Sequence, residues 1–215
     1  MAVQLPNGTL LAIGSAVAAA QAITVATNAN PCVVTIVGHG YSNGDLVIVS
    51  SGWARANGKV FRVAGSTTDT FQLENLDTSN TAVFPAGSGL GTAQKVSTFT
   101  QISQILDPTS TGGEQKFLTY QFLESDSEVD IPTVKSGGGI TFAVGDDPSL
   151  AGYVALEAAN DDRVPRALSA SLSNGAKIYY YGYVSINKTP SLTVNELMKV
   201  TATIKFINEP VRYAA

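Results

Sequence analysis

Two runs near the end of the chain constrain its fold more than any other feature. Residues 177–186, KIYYYGYVSI, and 196–207, ELMKVTATIKFI, both alternate with period two. Successive side chains of a strand point to opposite faces, so Met198, Val200, Ala202, Ile204 and Phe206 share one side. Lys199, Thr201, Thr203 and Lys205 take the other. Ile178, Tyr180, Val184 and Ile186 likewise oppose Tyr179, Tyr181 and Tyr183. A face of aromatic rings needs cover from another sheet, a helix or a neighbouring subunit, which makes Tyr179, Tyr181 and Tyr183 a candidate intersubunit face.

The rest of the chain reads as further strands. Between Ala22 and Lys95 the runs ITVAT, CVVTIV, DLVIVSS, KVFRVAG and TFQLENL are broken by turn residues such as Ser42-Asn43-Gly44-Asp45 and Asn57-Gly58. Five short strands in this span predict a small barrel or sandwich, with the Gly, Pro and Ala-rich residues 80–92 as its exit linker. A second set starts near Val96 with KFLTYQFL, GITFAV and RALSASL, and Asn174-Gly175 marks a hairpin turn. One segment, DPSLAGYVALEAAND, predicts a helix capped by Asp147 with Pro148 in its first turn, burying a stripe of Leu150, Tyr153, Val154 and Ala158. The apolar run Gly8–Ala26 lacks the basic start of a secretion signal, since the first cation is Arg55, and is too diluted by small and polar residues for a membrane span. It reads as a strand from Leu10 to Ile13 leading into the next one.

Charge and side-chain chemistry narrow the function classes. Only 14% of the 215 residues are charged and the net charge is −4, with no Lys/Arg cluster to neutralise phosphates. A surface dominated by Ser, Thr, Asn and Gly suits a subunit buried in an assembly. The single histidine, His39, has no companion ligand or nucleophile and reads as a turn-stabilising residue. Cys32 reads as a small packed hydrophobe. SGGGI at 136–140 lacks the Lys-Ser/Thr of a phosphate loop and suits a hinge or bulge. The acidic run ESDSEVD, with Glu124, Asp126, Glu128 and Asp130, lacks the glycine and terminal Glu of a calcium loop and reads as a charged loop or interface. No catalytic constellation is present, and no cofactor is implied.

The segments LPNGTLLAIGSA, GEQKFLTYQFLESDSEVDIPTVKSG, FAVGDDPSLAGYVALEAANDDRVPRAL and NGAKIYYYGYVSINKTPSLTVNELMKVTATIKFINEPVRY together resemble the major tail tube proteins of long-tailed, siphovirus-type bacteriophages. Residues 22–95 are similar to a small β module of phage structural proteins, which itself resembles a domain of ubiquitin-activating enzymes without implying ubiquitin chemistry. The resemblance implies a mainly β protein: a β-sandwich, barrel-forming tail tube domain (1–21 and 96–215) with one flanking α-helix, plus an inserted small all-β domain (22–95). It implies a non-enzymatic virion protein, assembled in the host cytoplasm, whose hexameric rings stack into the tail tube through which the genome is ejected. Its implied partners are further copies of itself, the tail terminator, baseplate and tape measure proteins, and double-stranded DNA crossing the lumen without specific binding. Membrane insertion is not implied.

Several surfaces follow as expectations. The acidic loop, the N-terminal arm and the C-terminal NEPVRYAA are the extensions available for ring stacking. The insert is expected outside the tube, which favours a non-contractile tail; Trp53 reads as a buried core residue in preference to its alternative, a candidate surface site stacking on a sugar. The competing readings are a carbohydrate- or cell-surface-binding β protein, and another tail component, terminator or baseplate hub, on the same fold.

Overall fold

The computed structural model describes residues 7–215, so the N-terminal arm before Asn7 lies outside the described residues. Strands β1 (Leu10–Val17), β2 (Gln21–Ile23), β3 (Val25–Ala26), β4 (Cys32–Thr35), β5 (Leu46–Ser51), β6 (Lys59–Ala64) and β7 (Thr70–Leu73) come first. They are followed by β8 (Gly91–Ile102), β9 (Ile105–Thr111), β10 (Gln115–Tyr120), β11 (Val129–Lys135) and β12 (Gly139–Gly145). Helix α1 (Ala151–Asp162) then precedes β13 (Arg166–Ser171), β14 (Lys177–Ile186), β15 (Lys199–Phe206) and β16 (Val211–Tyr213). The protein is mainly β with a single flanking helix among the described residues, as the turn-punctuated runs predict.

The two strand sets are joined on one strand. β8 pairs with β2 and β5 through Gly91–Lys95 and with β1 through Val96–Ile102, crossing the expected boundary without interruption. The resulting sheet runs β3-β4-β7-β6-β5-β8-β1-β13-β14-β15-β12-β9, while β10 and β11 form a separate two-stranded sheet. The Asn174-Gly175 turn joins β13 to β14, with the Gly175 amide donating to Leu172 at 3.0 Å.

Two buried clusters hold these halves. One gathers Ile13, Phe142, Val144, Leu168, Val184, Val200 and Ile204 with Tyr153, Leu156 and Ala159 of the helix. The helix therefore buries Gly152, Tyr153, Leu156 and Ala159, whereas Val154, expected in the stripe, is 51% exposed and Ala158 also faces solvent. The rotation has a steric cause. A Cβ on Gly152 would stand 2.4 Å from the carbonyl oxygen of Gln101, so only glycine lets this turn approach the end of β8. The helix also starts later than predicted, with Leu150 at its N-cap and no side-chain cap. Asp147 instead closes a local turn, accepting from the amide of Ser149 at 3.1 Å and from its hydroxyl at 2.5 Å. Those bonds hold its carboxyl below the usual range.

The other cluster contains Val34, Val47, Trp53, Phe61, Phe71 and Phe84 of residues 22–95, the span expected to be an insert, together with Ala167, Tyr179, Val211 and Tyr213 of the later strands. β14 therefore lies between two packed layers, its even-numbered face on the helix side and Tyr179 and Tyr181 on the insert side. The final segment reinforces this junction. β16 pairs with β14, Asn208 Nδ2 donates to the carbonyls of Ala54 (3.1 Å) and Asn57 (2.9 Å), and Asn75 Nδ2 donates to Arg212 (3.1 Å). The C-terminal NEPVRY, expected as a free extension, is folded back as an internal clasp because its alternating Val211 and Tyr213 have an apolar layer to enter.

Candidate assembly interface

Among the described residues the hairpin of β10 and β11 carries several exposed large apolar side chains. Leu118 faces Ile131 and Tyr120 faces Val129 across the ladder, which places all four on one side. Leu118, Ile131 and Val129 are 57%, 46% and 45% exposed, and beyond them the turn carries Phe122 at 59% and Leu123 fully exposed. A lone two-stranded hairpin is marginal in water, and exposed apolar groups on this scale mark a binding surface. Both outer edges of the hairpin are unpaired in the single chain.

The hairpin continues the β9–β12 ribbon through a glycine waist. Gly112 has φ +73°, and a Cβ there would meet the carbonyl oxygen of Gly137 at 2.1 Å. The two arms cross at that point, with the Gly113 amide donating to Ser136 at 3.1 Å and the Ser136 amide donating to Glu114 at 2.8 Å. Lys135, at the base, pairs with Glu209 of the C-terminal segment and holds its carboxyl below the usual range. The SGGGI run thus supplies the glycines of a close backbone approach from which the hairpin projects. β9 presents the open edge of the large sheet, blunted by Pro108, a residue tolerated in strands mainly at edges.

Glu124, Asp126 and Glu128 all lie exposed in the turn of this hairpin, and Asp130 sits in β11, where it accepts from the Thr119 hydroxyl at 2.5 Å. The structure brings the four carboxylates to one end of the extension, next to the apolar tip. Among the described residues no group of three His, Cys, Asp or Glu is arranged to hold a metal ion.

The tyrosine face is mostly covered from within. Tyr179 is 4% exposed and packs edge-on against Tyr213, with ring centroids 5.6 Å apart. Tyr181 packs partly buried against the insert cluster, and burial raises the pKa of both hydroxyls. Their partner is the chain's own insert, so the expected intersubunit face reduces to Tyr183, which is 50% exposed. Trp53 is likewise no surface site: it is 2% exposed, stacks edge-on against Phe84 and donates from Nε1 to the carbonyl of Pro85 at 2.8 Å. The insert needs a large side chain to close its core under the 80–90 segment, and Trp53 fills that place. His39 accepts the Tyr41 amide at Nδ1 (2.9 Å), which leaves its proton on Nε2, directed at the Thr70 carbonyl 3.4 Å away. It is a turn-stabilising residue in a packed trio with Tyr41 and Phe71.

A second exposed apolar surface escaped the sequence reading. The last strand was expected from Glu196, but β15 starts at Lys199, and in the segment before it Leu192, Val194, Leu197 and Met198 are 74%, 83%, 64% and 47% exposed. The only signal was Asn195, whose side chain breaks the alternation and whose φ is +65°.

No helix among the described residues is long and apolar enough to cross a membrane. No curated protein matches the chain. Among solved structures it is similar to the anti-feeding prophage cap (AFP tube terminating cap), seen by cryo-electron microscopy, with a TM-score of 0.36 and 16% identity over 50% of this chain and 79% of that one. So partial an overlap bears on neither assembly nor partners. The family model for the phage tail tube protein, TTP, matches residues 51–215, the span that carries β14, the helix, the hairpin and the clasp, and the chain thus belongs to the phage tail tube protein family, a structural component of the virion tail.

Proposed function

We propose that the protein polymerises as hexameric rings that stack into the tail tube, the conduit through which the phage genome is delivered to the host cell. The observation that carries this reading, beside family membership, is the β10–β11 hairpin, whose apolar face and two unpaired edges have no partner in a single chain. Lateral pairing at the open edge of β9 would close the sheet across subunits and remove an edge that otherwise invites uncontrolled association. The net charge of −4 suits a lumen that DNA must cross without adhering. On this reading assembly takes place in the host cytoplasm, the partners are the terminator, baseplate and tape measure proteins, and the protein has no enzymatic activity.

We read residues 22–95 as a module inserted into a host domain of 1–21 and 96–215, on the strength of its short turn-broken strands β2–β7, which leave and return to the sheet beside β8. The module lies on the tube's exterior, which favours a tail without a contractile sheath. The sugar-binding alternative loses its motive with Trp53 buried. Negative-stain electron microscopy of the purified chain over a concentration series tests the assembly: six-fold rings and stacked tubes with a central channel are expected. A persistent monomer at every concentration would overturn it.

A further inference from the structure

We propose that the loop 191–198 of one molecule seats in an apolar cavity at the opposite end of a second copy, a head-to-tail contact of this chain with itself. The inference rests on the stacking reading above and gives it a knob and a socket.

The socket lies between β1, β13 and β14 on one side and β9 and β12 on the other. Leu11, Pro108, Ile140, Leu172, Ile178 and Tyr180 line a cavity there of about 450 Å³, within the size range of small-ligand sites. Thr9 stands on the same wall, and its Oγ1 is shielded from solvent without a hydrogen-bond partner among the described residues. A shielded hydroxyl left unpaired is costly, so the cavity lacks both an apolar filling and a polar partner. It sits at the end of the sheet where Gly139 pairs with Lys205. Ile140 is the next residue, and Ile178 and Tyr180 belong to the part of β14 that precedes its first β15 partner, Gly182.

The knob stands at the other end. Gly145 pairs with Lys199, the residue directly after the loop, and the seven residues of β12 separate the two ends by about 20 Å. The loop's base is fixed, since the Ser191 amide donates to Lys199 at 2.9 Å and the Asp146 amide to Met198 at 3.0 Å. Leu192, Val194 and Leu197 project from it, and the backbone between them offers Thr9 the missing bond. Knob and socket cannot meet within one chain. Two copies in line bring them together and leave one of each free, which makes the contact heterologous and repeatable. Charge agrees in sign. Around the knob Asp146, Glu157, Asp161 and Glu196 outnumber Lys188 and Lys199, with Lys188 already paired to Asp161. At the socket's end Lys177 and Arg212 flank Ile178, and Lys135 and Lys205 flank the Gly139 end of β12. These four stand against Asp107, Glu114 and Glu209, the last paired to Lys135. An acidic rim facing a basic one orients the two copies around an apolar centre.

Thiol cross-linking tests the pairing. Val194 on the loop and Pro108 on the cavity wall are both exposed, so Val194→Cys and Pro108→Cys leave the core intact, and native Cys32 is fully buried and does not compete. In assembled tubes a short bismaleimide should give a ladder of covalent chains longer than dimers only when both substitutions share one chain. Tubes of normal appearance with no ladder would overturn the pairing and leave the tube reading standing, whereas wild-type protein that forms neither rings nor tubes would overturn both. As a second measure, Ala170→Leu fills the socket from its own wall. It should cut the sedimenting tube fraction about tenfold or more while rings persist and the melting temperature of the dissociated chain holds or rises. Unchanged sedimentation counts against the proposal. So does a lower melting temperature, because overpacking would mean that the chain's own residues before Asn7 already fill the cavity.

Discussion

The phenolic oxygen of Tyr213 accepts the backbone amide of Arg62 at 2.8 Å, across 151 residues of sequence, and donates its own proton to the Glu74 carbonyl at 3.1 Å. The Arg62 guanidinium lies 4.5 Å from the centre of the same ring and binds Glu74 through Nη2 at 2.6 Å. One side chain near the C-terminus thereby ties the edge of the insert to β14. Tyr213→Phe leaves a partly buried amide unpaired and should lower stability by about 1–3 kcal/mol. An unchanged urea midpoint would show that the clasp contributes nothing.

The same hydroxyl predicts an alkaline weakness. Burial pushes its pKa from 10.0 up to about 12. Between those values the folded chain keeps the proton and the unfolded chain releases it, so the contribution is intact below pH 10 and lost as pH rises toward 12, by about 1.4 kcal/mol per pH unit at most. Urea midpoints measured below pH 10 and near pH 12 should fall less for Tyr213→Phe than for wild type. Equal falls would assign the alkaline loss to other groups.

Removing the proposed insert should damage the rest of the chain. Ile23 and Gly91 are cross-strand partners, so residues 24–90 can be replaced by a short glycine-serine link without stretching the chain. The deletion uncovers Tyr179, Tyr181, Val211 and Tyr213, now packed on the insert. We expect lower soluble yield, increased binding of a hydrophobic dye and impaired ring formation. A deletion variant with wild-type melting temperature would mean that the module is decorative.

The helix seat should be intolerant of any side chain at Gly152. With its Cβ 2.4 Å from the Gln101 oxygen, Gly152→Ala must shift the helix off β8 and loosen Leu156, which is fully buried. Overpacking of this kind costs about 1–3 kcal/mol, readable as a lower melting temperature. Val154→Ala on the exposed side serves as the control and should change little.

Replacing Glu124, Asp126, Glu128 and Asp130 together by Ala should alter stacking without affecting the fold, because three lie in an exposed turn and Asp130 bonds only to Thr119. Tube yield by sedimentation and melting temperature, measured in parallel, separate the two effects. Unchanged yield would remove these carboxylates from the interface.

The strands were legible because their determinants are local. Alternation in VTATIKF, the turn at Asn174-Gly175 and the glycine-broken runs of the insert each specify conformation within a few residues, and the strands lie there. Period two also separates Tyr179, Tyr181 and Tyr183 from Tyr180 and Val184, but it says only that a second face exists. What covers that face is a packing question between segments more than a hundred residues apart, and only the tertiary structure answered it: the insert covers Tyr179 and Tyr181, and the C-terminal strand completes the layer. The rotation of the helix escaped for the same reason, since a backbone oxygen at Gln101, not hydrophobic spacing, selects Gly152 for the inside. Burial of Trp53 and exposure of Leu192 and Val194 were likewise decided by which segments reach them, a free-energy balance set across the whole fold and not written into any local run.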